Sequence, residues 1–213
     1  MPATRTKKSS SNKRSTRTSR SRPRSSGKRQ TAPDVIAVLK QDHREVREMF
    51  RKYKGLGPRA TKSRQRIADQ VVKELSKHAA AEEQVLYPGL RKLRGGDRMA
   101  DHGLDEHQQV KEQLNALLRA KPDDADFDGL MRAVKSSVDE HVREEEGEVF
   151  PKLRREMTKD ELTQMGKLIR AAKRIAPTRP HPKAPSTPPG NVMVGAVSGV
   201  VDRARDAVRS KRT

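Results

Sequence analysis

The chain of 213 residues contains no cysteine and no tryptophan. Without cysteine there can be no disulfides, thiolate metal sites or cysteine nucleophiles, so any metal centre must draw on imidazole nitrogen and carboxylate oxygen. That donor set suits iron, manganese or zinc better than soft copper. Aromatics are few, three Phe and two Tyr, and apolar residues reach only 31%. An ordinary globular chain carries roughly 45–50%, so part of the sequence is expected to lie outside any core. Long apolar runs are missing as well. Nothing approaches the roughly 20 residues that cross a membrane, and no apolar run follows the basic N-terminus to make a secretory signal. These absences point to a cytoplasmic protein. No activated serine arrangement, phosphate loop or nucleotide fingerprint is evident either.

Charge is abundant and unevenly placed. The net charge is +20, yet residues 1–33 carry eleven Lys/Arg and no acid at all. This low-complexity arm cannot bury apolar area and is read as a disordered basic tail. Its cations Lys7, Lys8, Lys13, Arg14, Arg17, Arg20, Arg22, Arg24, Lys28 and Arg29 are candidates for sequence-independent contact with nucleic-acid phosphates. No aromatics interleave with them, so base stacking is not expected. Such contact would make the protein nucleoid-associated; a solvated tail with no dedicated partner is the alternative. Residues 177–190 are proline-rich and read as an extended linker, and residues 177–213 together form a linker and basic C-terminal segment.

Between these lies residues 34–176, with helical periodicity almost throughout. A first helix is expected from about Asp34 to Tyr53, with Ile36, Leu39, Val46 and Phe50 on its apolar face. Three more carry Ile67 to Leu86, Leu104 to Leu118 and Leu130 to Val149. The sequence from Thr158 to Glu161 reads as a capping box opening a shorter fifth helix that ends near Ile175. Two stretches repeat: QDHREVREMF at 41–50 matches DEHQQVKEQL at 105–114, and KHAAAEEQVLYPGL at 77–90 matches EHVREEEGEVFPKL at 140–153. Each repeat is a helical hairpin. Short connections favour antiparallel neighbours, hence an all-α, up-down-up-down four-helix bundle.

The repeats place chemistry at matching positions. His78 and Glu82 are four residues apart and share a helix face, as do His141 and Glu145. His43 and His107 supply one imidazole each from the other helix of each hairpin. All four histidines fall on apolar stripes, so the fold brings four imidazoles and two carboxylates into one core. A lone histidine on such a stripe is usually an ordinary core residue, and the glutamates could be solvated surface. Burying the whole set uncompensated, however, costs several kcal/mol per ion. Bound cations would compensate, and a glutamate can bridge two of them.

These motifs, QDHREV, KHAAAEEQVLYP, DEHQQV and HVREEEGEVFP, resemble the hemerythrin-like, HHE cation-binding family over roughly residues 34–155. The resemblance implies two non-haem iron ions (Fe2+/Fe3+), oxo- or hydroxo-bridged, with His43 and His78 on one, His107 and His141 on the other, and Glu82 and Glu145 bridging. It also implies dioxygen, peroxide or nitric oxide as the small ligand, with catalase- or peroxidase-like turnover as an enzymatic form. The oxygen-carrying members place a further histidine four residues before His107, where this chain has Gly103. His102 is nearby but offset around the helix; it reaches the metal if the helix start is irregular, and otherwise lies at the surface. Glu83 and Glu146 are further candidates, as metal donors or as partners of the donors, with a solvated face the simpler expectation. Tyr87 and Phe150 read as packing residues, His181 as incidental, and Pro88 and Pro151 as interruptions of helical hydrogen bonding beyond the site. Two other functions fit the same residues: an iron-handling or iron-sensing module without turnover, and a nucleic-acid-associated protein whose metal bundle is structural.

Overall fold

Helix α1, Val35–Lys54, starts where Asp34 caps it, its carboxylate accepting the Ala37 N–H at 2.7 Å. In this computed structural model, residues 32–188, 190–191, 198–199 and 202–203 are described. The basic arm and most of the C-terminal segment expected from sequence lie outside them. Helix α2, Thr61–Ala81, passes through a wide turn, Glu82–Leu86, and resumes for Tyr87–Leu90. The chain then turns through Gly95 at φ +71°, a conformation that favours glycine. Helix α3 follows as Gly96–Arg119 and α4 as Phe127–Glu144. A second wide turn, Glu145–Val149, extends α4 into Phe150–Glu156.

The two hairpins, α1–α2 and α3–α4, pack as a four-helix bundle, with no strand among the described residues. Helix α5, Lys159–Ile175, opens with the expected capping box: the Glu161 carboxylate accepts the Thr158 N–H at 2.7 Å, and the Thr158 hydroxyl accepts the Glu161 N–H at 3.3 Å. It lies across the start of α1. Gly166 permits this, because a Cβ there would stand 2.5 Å from the Pro33 carbonyl oxygen.

Each wide turn is closed by an i→i+5 hydrogen bond, Tyr87 N–H to the Glu82 carbonyl and Phe150 N–H to the Glu145 carbonyl. This is a single π turn, and it changes which side chains share a face. In an unbroken α-helix, at about 100° per residue, a residue five positions on lies about 140° around the axis. The π turn brings Tyr87 and Phe150 back over Glu82 and Glu145. Proline follows each turn by one residue; having no N–H and needing room for its ring, it favours a widened turn before it.

The apolar interior is divided. One cluster is built on Val46, Phe50, Val71, Leu114, Phe127 and Val134, the other on Ile36, Leu39, Leu86, Leu90, Leu153 and Ile169. The histidines and carboxylates lie buried within the same bundle core. The residues expected to form an extended linker pack instead: Pro177, Thr178 and Pro180 are buried, and Ser186 accepts a hydrogen bond from Lys111 Nζ at 3.0 Å. His181, read as incidental, pairs with fully buried Asp202 at 2.9 Å. Proline-rich composition lowers the entropic cost of ordering a segment as readily as it makes a spacer. Among the described residues, no helix is long and apolar enough to cross a membrane.

Candidate metal centre

His43, His78, Glu82, His107, His141 and Glu145 meet in one buried cluster. Donor atoms of His43, His78, Glu82 and Glu145 lie within 4.8 Å of one another, as do those of Glu82, His107 and His141. Each carboxylate touches one imidazole from each hairpin. Glu82 Oε2 is 3.1 Å from His78 Nε2 and 3.3 Å from His107 Nε2. Glu145 Oε2 is 3.2 Å from His43 Nε2 and 3.7 Å from His141 Nε2.

The outer nitrogens determine what the inner ones can do. Every Nδ1 faces a carboxylate: His43 on Glu146 at 2.9 Å, His78 on Asp42 at 3.2 Å, His107 on Glu83 at 3.1 Å and His141 on Glu106 at 2.7 Å. An ionised carboxylate only accepts, so each Nδ1 donates and each neutral ring turns its Nε2 lone pair inward. There the lone pairs meet carboxylate oxygens and, between His107 and His141 at 3.3 Å, each other. Both oxygens of Glu82, both of Glu145 and His43 Nε2 have no hydrogen-bond partner. Buried acceptors facing acceptors repel unless a cation or proton lies between them. The residues therefore fit bound metal cations, and the Nδ1 carboxylates orient the rings as metal-binding histidines require.

The titration behaviour agrees for Glu82, His78 and His107, and His141 is the exception. Burial, then repulsion from Glu145, pushes Glu82 well above the usual carboxylate range. Burial opposes ionisation of Glu145 too, but His141, His43 and His78 hold it below its ordinary value. Burial lowers His78, and burial with neighbouring His141 lowers His107 further. His141 is raised, since Glu145 and Glu106 outweigh its burial. Burial works to raise Asp42, yet His78 and Lys173 keep it low.

Several sequence expectations change here. Glu83 is no solvated face: it is buried, holds His107, and is held in turn by Lys111 Nζ at 2.7 Å. Glu146 is partly exposed but carries His43. Each follows a buried glutamate of the cluster, and the π turn starting there widens the face enough to bring it within reach of a histidine Nδ1. Asp42 and Glu106 were not singled out at all, although the acid immediately before His43 and His107 is a repeated signal. His102 remains on the surface, 2.9 Å from Glu144, and does not reach the cluster.

Tyr87 is more than packing. Its Oη lies 3.1 Å from His107 Nε2, and burial with Glu82 and Glu145 raises it well above an ordinary phenol. Gly103 makes room: a Cβ there would stand 2.6 Å from Tyr87 Oη. Phe150, the matching residue of the other hairpin, stacks on His43 with ring centroids 5.8 Å apart. A small space of about 20 Å³, lined by the four histidines with Val46, Leu75, Val110 and Val138, adjoins the cluster. A larger cavity of about 410 Å³ reaches Tyr87, His141 and Glu145 from the side of His102, Glu106 and Glu144.

Residues 34–153 match the family model for the hemerythrin HHE cation-binding domain. An uncharacterised hemerythrin-like protein of Schizosaccharomyces pombe is 31% identical over 81% of this chain and 85% of its own. A DNA nickase of Nostoc is 30% identical over 66% of this chain, which spans only 39% of that relative. A crystal structure of a hemerythrin HHE cation-binding domain-containing protein from Mycobacterium kansasii shares the fold, with a TM-score of 0.59 at 24% identity over 67% of this chain and 86% of the other. With its duplicated hairpins, its converging imidazoles and these relatives, the chain belongs to the hemerythrin HHE cation-binding family.

Proposed function

We propose that the chain binds two non-haem iron ions and uses them to bind or process dioxygen, peroxide or nitric oxide. The observation that carries this reading is the set of four inward Nε2 lone pairs, each ring fixed by a carboxylate on Nδ1, around two carboxylates whose oxygens have no hydrogen-bond partner. His43 and His78 would hold one ion, His107 and His141 the other, with Glu82 and Glu145 between them. When bound, an iron pair supplies open coordination positions and shared redox change. The protein's own groups keep the rings in one tautomer, exclude bulk water from the core and leave space for about one water-sized ligand beside the histidines.

Metal analysis of the purified chain, with an optical spectrum before and after peroxide, tests this reading. Near two irons per chain, with bands that peroxide changes, is the expected result, and rapid oxygen evolution would mark catalase-like turnover. Zinc filling the site, or a stable protein that takes up no metal, would overturn the redox reading; metal-dependent folding without peroxide turnover would favour iron sensing.

A second reading, attachment to nucleic acid, is favoured by a cleft of about 420 Å³ lined by Lys73, Lys77, Lys173, Arg174 and Arg203. The acid-free arm of residues 1–33 and the Nostoc relative's name point the same way. Bound phosphates would release counterions, so DNA retention should weaken steeply with salt. Removing residues 1–33 should reduce it; unchanged, salt-insensitive retention would refute the tether. In this reading the protein is cytoplasmic and nucleoid-associated.

A further inference from the structure

The two hairpins match closely at the centre, which makes the places where they differ informative. Asp42 and Glu106, the acids before His43 and His107, hold the rings of His78 and His141; Glu83 and Glu146 hold those of His107 and His43. The π turns place Phe150 and Tyr87 at equivalent positions. Where α1 has Leu39, four residues before His43 and fully buried, α3 has Gly103 four residues before His107. Apolar volume on one side is thus replaced by a phenolic hydroxyl and open space on the other.

Four donors lie mutually close around the His43–His78 position and three around the His107–His141 position, where Glu145 Oε2 also stands 3.7 Å from His141 Nε2. The cavity of about 410 Å³ opens onto the His141 side and is lined by Tyr87, Gly103, His141 and Glu145. Tyr87 is 2% exposed, and among the described residues its hydroxyl has its hydrogen-bond contact with His107 Nε2, an atom placed to face the cluster. A buried hydroxyl in that position can turn its proton toward a third group once His107 is engaged.

We propose that the Tyr87 hydroxyl is the positioning hydrogen-bond donor for a small anionic or diatomic ligand held on the His107–His141 side of the centre. Gly103 is the residue that admits it, and the cavity beside it is the ligand's route from solvent. This inference rests on the metal-binding reading above. It adds a site residue, an entry side and an asymmetry between two otherwise matching halves.

Azide binding to the iron-loaded full chain tests it, followed by optical titration and by the azide stretching frequency in the infrared. Tyr87→Phe keeps the ring and removes the donor. The variant should retain iron and melting temperature, bind azide about tenfold more weakly, and shift the azide stretch. Gly103→Ala, which displaces the hydroxyl without removing it, should weaken azide in the same direction. Equal affinity and an unchanged stretch in Tyr87→Phe would overturn the proposal while leaving the iron centre intact. Loss of iron from that variant, or a phenolate-to-iron absorption band in the parent, would overturn it in favour of direct ligation. Failure of the parent chain to bind iron would instead overturn the metal-binding reading and this inference with it.

Discussion

Replacing Glu82 by glutamine should stabilise the metal-free protein and destabilise the metal-loaded one. Glu82 is fully buried, neither oxygen has a hydrogen-bond partner, and Glu145 shares its pocket. Without metal, folding at pH 7 forces this carboxyl to hold a proton it would release in the unfolded chain. Between its ordinary value of 4.5 and neutrality, at about 1.4 kcal/mol per pH unit, the cost is about 3 kcal/mol and at most about 3.5 kcal/mol. Glutamine carries no such cost, and its amide nitrogen can donate to the lone pair of His78 or His107, which lie 3.1 and 3.3 Å from Oε2. In a domain of this size about 3 kcal/mol corresponds to roughly 6–12 °C.

The sign with pH is fixed. Folded Glu82 keeps its proton to higher pH than the unfolded chain, so its contribution is fully present below about 4.5 and is lost as pH rises through the folded value. In chelator, parent and variant should therefore melt together near pH 4 and separate toward pH 7 with the variant higher. Adding iron or zinc far above saturation should reverse the order, since a site at about 1,000 times its dissociation constant contributes about 4.1 kcal/mol, more than the variant's advantage of about 3 kcal/mol, and the variant loses most of it. Calorimetry with and without chelator reads both effects. A variant that melts lower than the parent in chelator at pH 7, or a gap that does not depend on pH, would refute the argument that Glu82 is an uncompensated buried acid.

Lys111→Ala should cost up to about 3 kcal/mol, because it leaves buried Glu83 with His107 but without its cation; urea unfolding measures it, and adding Glu83→Gln should recover part of the loss. Gly103→Ala should lower stability by about 1–3 kcal/mol through overpacking against Tyr87. Tyr87→Phe should not rescue it, since the ring carbon Cζ would still lie 2.8 Å from the new Cβ; full rescue in thermal melts would contradict the packing described. Gly166→Ala should free α5 from the start of α1, because the clash is with the backbone at Pro33 and Asp34; faster hydrogen exchange in α5 alone is the expected sign.

Much of this protein was legible along the chain. The helices, the capping box at Thr158, the duplication and the six converging donors follow from periodicity and spacing, because an α-helix fixes which residues share a face. The rest depended on packing. A π turn shifts the register by one residue, so no pattern with a 3.6-residue period could place Tyr87 over Glu82 or bring Glu83 and Glu146 within reach of a histidine Nδ1. Asp42 and Glu106 became ring partners only once the hairpins faced each other, a relation between helices distant in sequence. Gly103, which reads as a missing ligand in one dimension, is the space that a phenol from another helix occupies. Residues 177–188 show the same division: their composition suggests a spacer, and only their contacts with Lys111 and the bundle reveal a packed segment. Sequence determined which donors exist and on which helix each lies. Tertiary structure decided which nitrogen of each ring faces inward, and where a cavity meets the cluster.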